Sequence, residues 1–150
     1  MNKEASRPNG RNLRKGRVSE PNRIYSITTV THDRGKIFSD FSNARCLVRV
    51  LQSTESLGQA HTLCFVVMPD HLHWLMQLGE GHDLSAVVRS VKALTSKRIG
   101  YRVWQKGFHD HAIRAEEDVT AIARYIVANP LRAGLVERVG DYSHWDAVWL

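Results

Sequence analysis

His71, Leu72 and His73 place two imidazoles one residue apart within His71-Leu72-His73-Trp74-Leu75-Met76-Gln77-Leu78, a stretch that reads as a β-strand. Side chains alternate along a strand, so both rings project from one face, about 7 Å apart at Cα, while Leu72 packs on the other. Imidazoles so placed can converge on one divalent ion. His109-Asp110-His111 repeats the spacing. On spacing alone, either pair is more simply two half-buried histidines hydrogen-bonded to backbone. Tyr125 and Asn129 form a second constellation, four residues apart and hence stacked on one side of a helix, about 6 Å apart at Cβ. A phenol is a potential nucleophile and an amide oxygen a neutral metal ligand. The plainer roles are an amphipathic aromatic at the rim of a core and a helix stop before Pro130.

These residues need elements to hold them. Residues 24–31 are β-branched and aromatic and predict a strand, closed by His32-Asp33-Arg34-Gly35 as a turn. Ala44, Leu47, Val48 and Leu51 recur at helical spacing between 40 and 57. A second strand over 61–67 and the histidine strand flank the turn signal Met68-Pro69-Asp70, which predicts a hairpin. Asp83 is an N-cap for a helix running to Gly100 on Leu84, Val87, Val88, Val91 and Leu94. A fourth strand is expected over 102–114, then a third helix with the stripe Val119, Ile122, Ala123, Ile126 and Val127, stopping at Asn129-Pro130. The order βαββαβ is the split, ferredoxin-like pattern of an α+β fold. It implies an antiparallel sheet with two helices on one face, the other face left for a site, and an added C-terminal helix carrying Tyr125. Residues 131–136 and the Trp145–Trp149 pair are expected to form a packed tail.

At 150 residues and 17.1 kDa, with 43% apolar and 24% charged residues, the chain is sized and composed for one globular domain. Residues 1–22, polar and rich in Arg, Gly and Pro, are expected to be a flexible basic arm, and 23–150 a single catalytic-type domain. No apolar run approaches a membrane span or a signal peptide, so a cytoplasmic protein without membrane contact is expected. Cys46 and Cys64 lie within apolar patterns and read as reduced core thiols. The net charge of +6 is local. Residues 1–23 carry seven Lys/Arg against two acids, and 84–114 seven against one, whereas 24–83 and 115–150 are net acidic. That pattern suits a protein meeting a polyanion on one surface, and equally a solvated face with a soluble tail.

Three stretches go further together. Phe65-Val66-Val67-Met68-Pro69-Asp70-His71-Leu72-His73-Trp74, Trp104-Gln105-Lys106-Gly107-Phe108-His109-Asp110-His111, and Arg124-Tyr125-Ile126-Val127-Ala128-Asn129-Pro130-Leu131-Arg132-Ala133-Gly134-Leu135-Val136 resemble the REP-associated tyrosine transposases. These are IS200-like members of the single-tyrosine HUH transposases. The resemblance runs from about Gly16 to the C-terminus and includes an arm reading Gly16-Arg17-Val18-Ser19; Pro21-Asn22 departs from it, since the family often has glycine after that proline. It implies that Tyr125 is the nucleophile, that His71 and His73 hold the metal with Asn129 as third ligand, and that the ion is Mg²⁺ or Mn²⁺. His₂ donors would also accept Zn²⁺ or Co²⁺. The implied activity is cleavage and transesterification of single-stranded DNA at REP hairpins through a 5′-phosphotyrosine, by a chain expected to be a monomer. Hairpin phosphates would be tracked by Arg89, Lys92, Lys97, Arg98 and Arg102, with Lys106 beyond, while Arg14, Lys15 and Arg17 of the arm would reach a groove or unpaired bases. Trp104 and Tyr101 could stack on a base, but both read better as core. A noncatalytic hairpin-binding regulator and a metal-dependent hydrolase with a water nucleophile are the competing readings.

Overall fold

The computed structural model describes residues 23–114 and 117–148; the expected arm, with Arg14, Lys15 and Arg17, lies outside them, as does Trp149. Five strands, β1 (Ile24–Val30), β2 (Ala60–Met68), β3 (His71–Leu78), β4 (His109–Ala112) and β5 (Trp145–Ala147), form one antiparallel sheet in the order β4-β1-β3-β2-β5. The helices are α1 (Phe41–Ser56), α2 (Leu84–Ile99), α3 (Val119–Val127) and the short α4 (Asn129–Arg132). The first four strands have the ferredoxin-like arrangement expected from the sequence. Among the described residues no helix is long and apolar enough to cross a membrane.

Strand alternation separates two cores. Tyr25 and Ile27 of β1, Phe65 and Val67 of β2, and Leu72, Trp74, Met76 and Leu78 of β3 point to one face. There Leu47, Val50 and Leu51 of α1 and Leu84, Val87 and Val91 of α2 cover them. Both helices begin at an aspartate cap, the second being the one read from the sequence: the Asp40 carboxylate accepts the Asn43 N–H at 3.1 Å and the Asp83 carboxylate accepts the Ala86 N–H at 3.0 Å. Trp74, buried at the centre, donates its Nε1–H to Thr62 Oγ1 at 2.9 Å, so its one polar group is satisfied. On the opposite face Cys64, Val66 and Met68 of β2 and Leu75 of β3 meet Ala123 and Ile126 of α3, flanked by Val119, Ile122 and Val127. A bulge between Thr62 and Cys64 shifts the alternation of β2 by one residue, so that Cys64 turns to the α3 side.

Four expectations are corrected. The fourth strand covers only His109–Ala112; the preceding segment meets the end of β1 through an isolated Thr31–Trp104 bridge and the Gln105 N–H on the Val30 carbonyl, and the ladder is interrupted between the two. The Lys92 ammonium donates to the carbonyls of Gln105 at 2.8 Å and Gly107 at 2.7 Å, and Gly107 takes φ 77°. Trp104 in that segment is buried against Phe38, ring centroids 5.3 Å apart, as core; Tyr101 is not, being about half exposed at 52%. The third helix ends at Val127, and Asn129 opens a new short helix with Pro130 in its first turn, where the missing N–H costs nothing. The expected tail contains a strand, β5, paired with β2.

Two substitutions probe this framework by chemical denaturation. A Cβ on Gly79, just after β3, would lie 2.1 Å from the Gly58 carbonyl oxygen and 2.9 Å from that of Gln59, both backbone atoms. Gly79→Ala is expected to destabilise by about 1–3 kcal/mol or more, as overpacking against immobile atoms does. Lys92→Met orphans two carbonyls and is expected to cost about 1–3 kcal/mol, whereas Arg89→Gln, on the exposed side of the same helix, should stay within about 0.5 kcal/mol.

Candidate active site

The site begins at the turn between β2 and β3. Met68 pairs with His71, leaving Pro69-Asp70 as a two-residue turn that outside groups pin. The Phe38 N–H donates to the Pro69 carbonyl at 2.9 Å, and the Thr31 N–H donates to the Asp70 carbonyl at 2.9 Å, with the Thr31 hydroxyl 3.0 Å from the same oxygen. Asp70 Oδ1 is 2.7 Å from His71 Nδ1, and its Oδ2 is 3.5 Å from Arg34 Nη1. Arg34 takes φ 52°, a left-handed conformation that long side chains seldom adopt. A carboxylate only accepts, so in the neutral imidazole His71 Nδ1 carries the proton and Nε2 the lone pair.

His73 has an analogous partner. Its Nδ1 lies 3.1 Å from the hydroxyl of Thr28, the residue directly opposite on β1, and that hydroxyl can accept from an Nδ1–H. The two imidazoles meet edge to face, centroids 4.7 Å apart at 89°. Burial first, and then the nearby His71 and Arg132, push the His73 pKa down to about 4. Its ring is therefore neutral at pH 7, the state in which imidazole ligates. Two oriented imidazoles with their Nε2 atoms left to ligate make a donor set that fits a divalent ion.

Helices α3 and α4 pack against β2, the strand next to the histidines. Tyr125, near the end of α3, is 66% exposed. Asn129, at the start of α4, is half-buried, and its Oδ1 accepts from Arg132 Nη2 at 3.0 Å. Arg132 also donates Nη1–H to the Tyr125 carbonyl at 2.6 Å, and its guanidinium carbon lies 3.6 Å over the Tyr125 ring. Its charge acts on His73, so the two constellations read separately from the sequence are neighbours.

The second histidine pair lies on the same face. Thr28 of β1 pairs with His73 on one side and His109 on the other, and Ser26 pairs with Leu75 and His111. His111 Nε2 is 3.0 Å from both carboxylate oxygens of Glu117, a side-chain partner in place of the expected backbone one. Among the described residues no group of three or more His, Cys, Asp or Glu gathers around a metal position. Arg89, Lys97, Arg98 and Arg102 are exposed, on or just after α2, the helix that covers the sheet face opposite the histidines. Lys92 is half-buried, and burial, with Arg102 nearby, lowers its pKa to about 8.

Sequence reading missed three residues. Asp70 was in view as a turn former, and its place directly before His71 was the available signal. Arg132 stands three residues after Asn129, within helical reach of its side chain. Thr28 gave no signal, since its partnership exists only through the β1–β3 register.

The family model described as Transposase IS200 like matches residues 20–129. A Haemophilus influenzae protein assigned as a REP-associated tyrosine transposase is 29% identical over 138 residues, covering 81% of this chain and 77% of that protein. The Escherichia coli REP-associated tyrosine transposase is 36% identical over 80 residues, 52% of this chain and 48% of the relative. A solved structure of a REP-associated tyrosine transposase bound to a REP hairpin superposes with a TM-score of 0.75 at 25% identity, covering 86% of this chain and 79% of that one. A Deinococcus radiodurans crystal structure at 20% identity and TM-score 0.55, covering 74% of this chain and 93% of its own, shares the fold. The family match takes in the histidine strand, the tyrosine helix and Asn129, and the chain belongs to the IS200-like transposase family.

Proposed function

We propose that this chain cleaves and rejoins single-stranded DNA beside REP-type hairpins, with Tyr125 as nucleophile and His71, His73 and Asn129 holding Mg²⁺ or Mn²⁺. The observation that carries the reading is the oriented imidazole pair on β3 with the helices of Tyr125 and Asn129 packed on the adjoining β2. The relative solved with a REP hairpin supports the substrate class. The reading takes a monomer as the working unit.

The chain's own groups account for most of the reaction. Asp70 and Thr28 fix the rings and leave both Nε2 atoms as neutral donors, so the full charge of a bound divalent ion stays available. When bound, that ion neutralises a nonbridging phosphate oxygen and stabilises the pentavalent transition state. Tyr125 Oη, exposed on its helix, attacks phosphorus in line and gives up its proton to solvent. The bond from phosphorus to the 3′ oxygen breaks, that oxygen takes a proton, and the 5′ phosphate stays on Tyr125. Attack by a 3′-OH on the phosphotyrosine reverses these bonds and rejoins strands without ATP. In this reading the exposed Arg89, Lys97, Arg98 and Arg102 would meet hairpin phosphates, and Arg14, Lys15 and Arg17 of the arm would supply flanking contacts. The ammonium of Lys92 is already engaged by two carbonyls.

Two measurements test the reading. Incubated with a labelled strand carrying a REP-type hairpin, the wild-type chain is expected to form a covalent adduct that survives denaturing electrophoresis. Tyr125→Phe should form none while binding the hairpin within about twofold, because only one exposed oxygen is lost. Hairpin binding by the wild type with no adduct would instead support a noncatalytic regulator. By titration calorimetry, His71→Ala or His73→Ala should lose Mn²⁺ affinity by about 10- to 100-fold or more, on the scale of lost support to a metal site. His109→Ala and His111→Ala should retain it; Mn²⁺ affinity that instead follows His109 and His111 would move the metal to β4.

A further inference from the structure

We propose that Arg132 is a positioning residue for Tyr125, a guanidinium staple that sets the phenol ring and ties it to Asn129. The inference rests on the reading of Tyr125 as nucleophile. An exposed tyrosine at a helix end has little packing to select its side-chain rotamer, and Tyr125 is two-thirds exposed on the last turn and a half of α3. The helix itself breaks just beyond it, at Ala128, with Pro130 unable to carry a backbone hydrogen bond across the junction. Left to those elements alone, nucleophile and proposed ligand would sit on two segments joined by a hinge.

Arg132 closes that hinge from three sides with one planar group. Nη1 donates to the Tyr125 carbonyl, one of the last four carbonyls of α3 that the helix cannot satisfy itself. Nη2 donates to Asn129 Oδ1. Since a guanidinium only donates, it also selects the orientation of the amide, holding the oxygen on its own side and leaving that oxygen a second lone pair. The guanidinium carbon lies 3.6 Å over the phenol ring, a cation–π contact that fixes the ring plane. A lysine keeps the charge but has no rigid fork with which to make the three contacts together. The same cation stands near enough to His73 to help keep that imidazole neutral.

The test uses the full chain in wild-type, Arg132→Ala and Arg132→Lys forms, with 3-fluorotyrosine incorporated at position 125 alone for a ring readout that needs no activity. The fluorine resonance is expected to be displaced from that of a solvated tyrosine in the wild type and to move towards it in both variants. Single-turnover adduct formation should fall by on the order of 10- to 100-fold in both, the scale of a misplaced reacting group. Hairpin affinity should stay within about twofold and melting temperature within a few degrees, because the side chain is exposed. A resonance identical in all three forms overturns the staple, and so does a wild-type rate in Arg132→Lys, which would show that charge alone suffices. If the resonance moves as expected but the wild type forms no adduct, the staple stands and the nucleophile reading is what fails.

Discussion

The period-two alternation of β3 is the constraint from which the site follows. Leu72, Trp74, Met76 and Leu78 are almost wholly buried between the sheet and the helices α1 and α2. At about 1.5–3 kcal/mol for each large apolar side chain removed from water, their joint burial outweighs any contact the histidines make. A slip of one residue would send both imidazoles into that core and turn Trp74 out of it. His71 and His73 are thus placed by their neighbours. The pinned Pro69-Asp70 turn then sets where the strand starts, and with it the distance over which Asp70 reaches His71.

The two faces of the sheet divide the labour. One is a continuous core under two long helices, and it contributes rigidity. The other is covered by α3, with α4 and Tyr142 beside it, packed mainly on β2, which leaves the row His73, Thr28 and His109 half-buried. Half-burial matters chemically. Full exposure would leave His73 free to protonate in mild acid, whereas its position lowers the pKa to about 4 and keeps the lone pair available. Thr28 supplies the polar partner that such a ring needs, and its small hydroxyl does so without closing the face.

Local pattern made most of the fold legible. The alternation in β3, the Asp83 cap and the α3 stripe each depend on residues close in sequence, and each is observed. Where the reading failed, the deciding contact came from far along the chain or from another element. The fourth strand was read too long because the ladder with β1 is interrupted between Gln105 and His109, where Lys92, on α2, takes the carbonyls of Gln105 and Gly107. Strand β5 went unread because Trp145–Ala147 is too short to show a period and exists only by pairing with β2. The same limit applies at the site. Both constellations were visible as spacings, but nothing in either showed that they adjoin, and Thr28 is linked to His73 only by register.

Charge was the property that segment totals described least well. Lys92 lies in the most basic stretch of the fold, yet its ammonium is occupied by two carbonyls and organises a loop. Arg132 lies in a stretch that is net acidic, yet it is the cation that acts on His73 and stacks on Tyr125. The difference follows from how electrostatic interactions decay. Exposed charges separated by more than about 8–10 Å are largely screened at physiological salt, so a segment total has little local meaning. A charge in direct contact, such as the Arg132 guanidinium 3.6 Å over the Tyr125 ring, has little solvent between it and its neighbour. Within the site, one well-placed guanidinium therefore outweighs the basic helix on the opposite face, whose exposed arginines and lysine are suited to a partner that arrives from solvent.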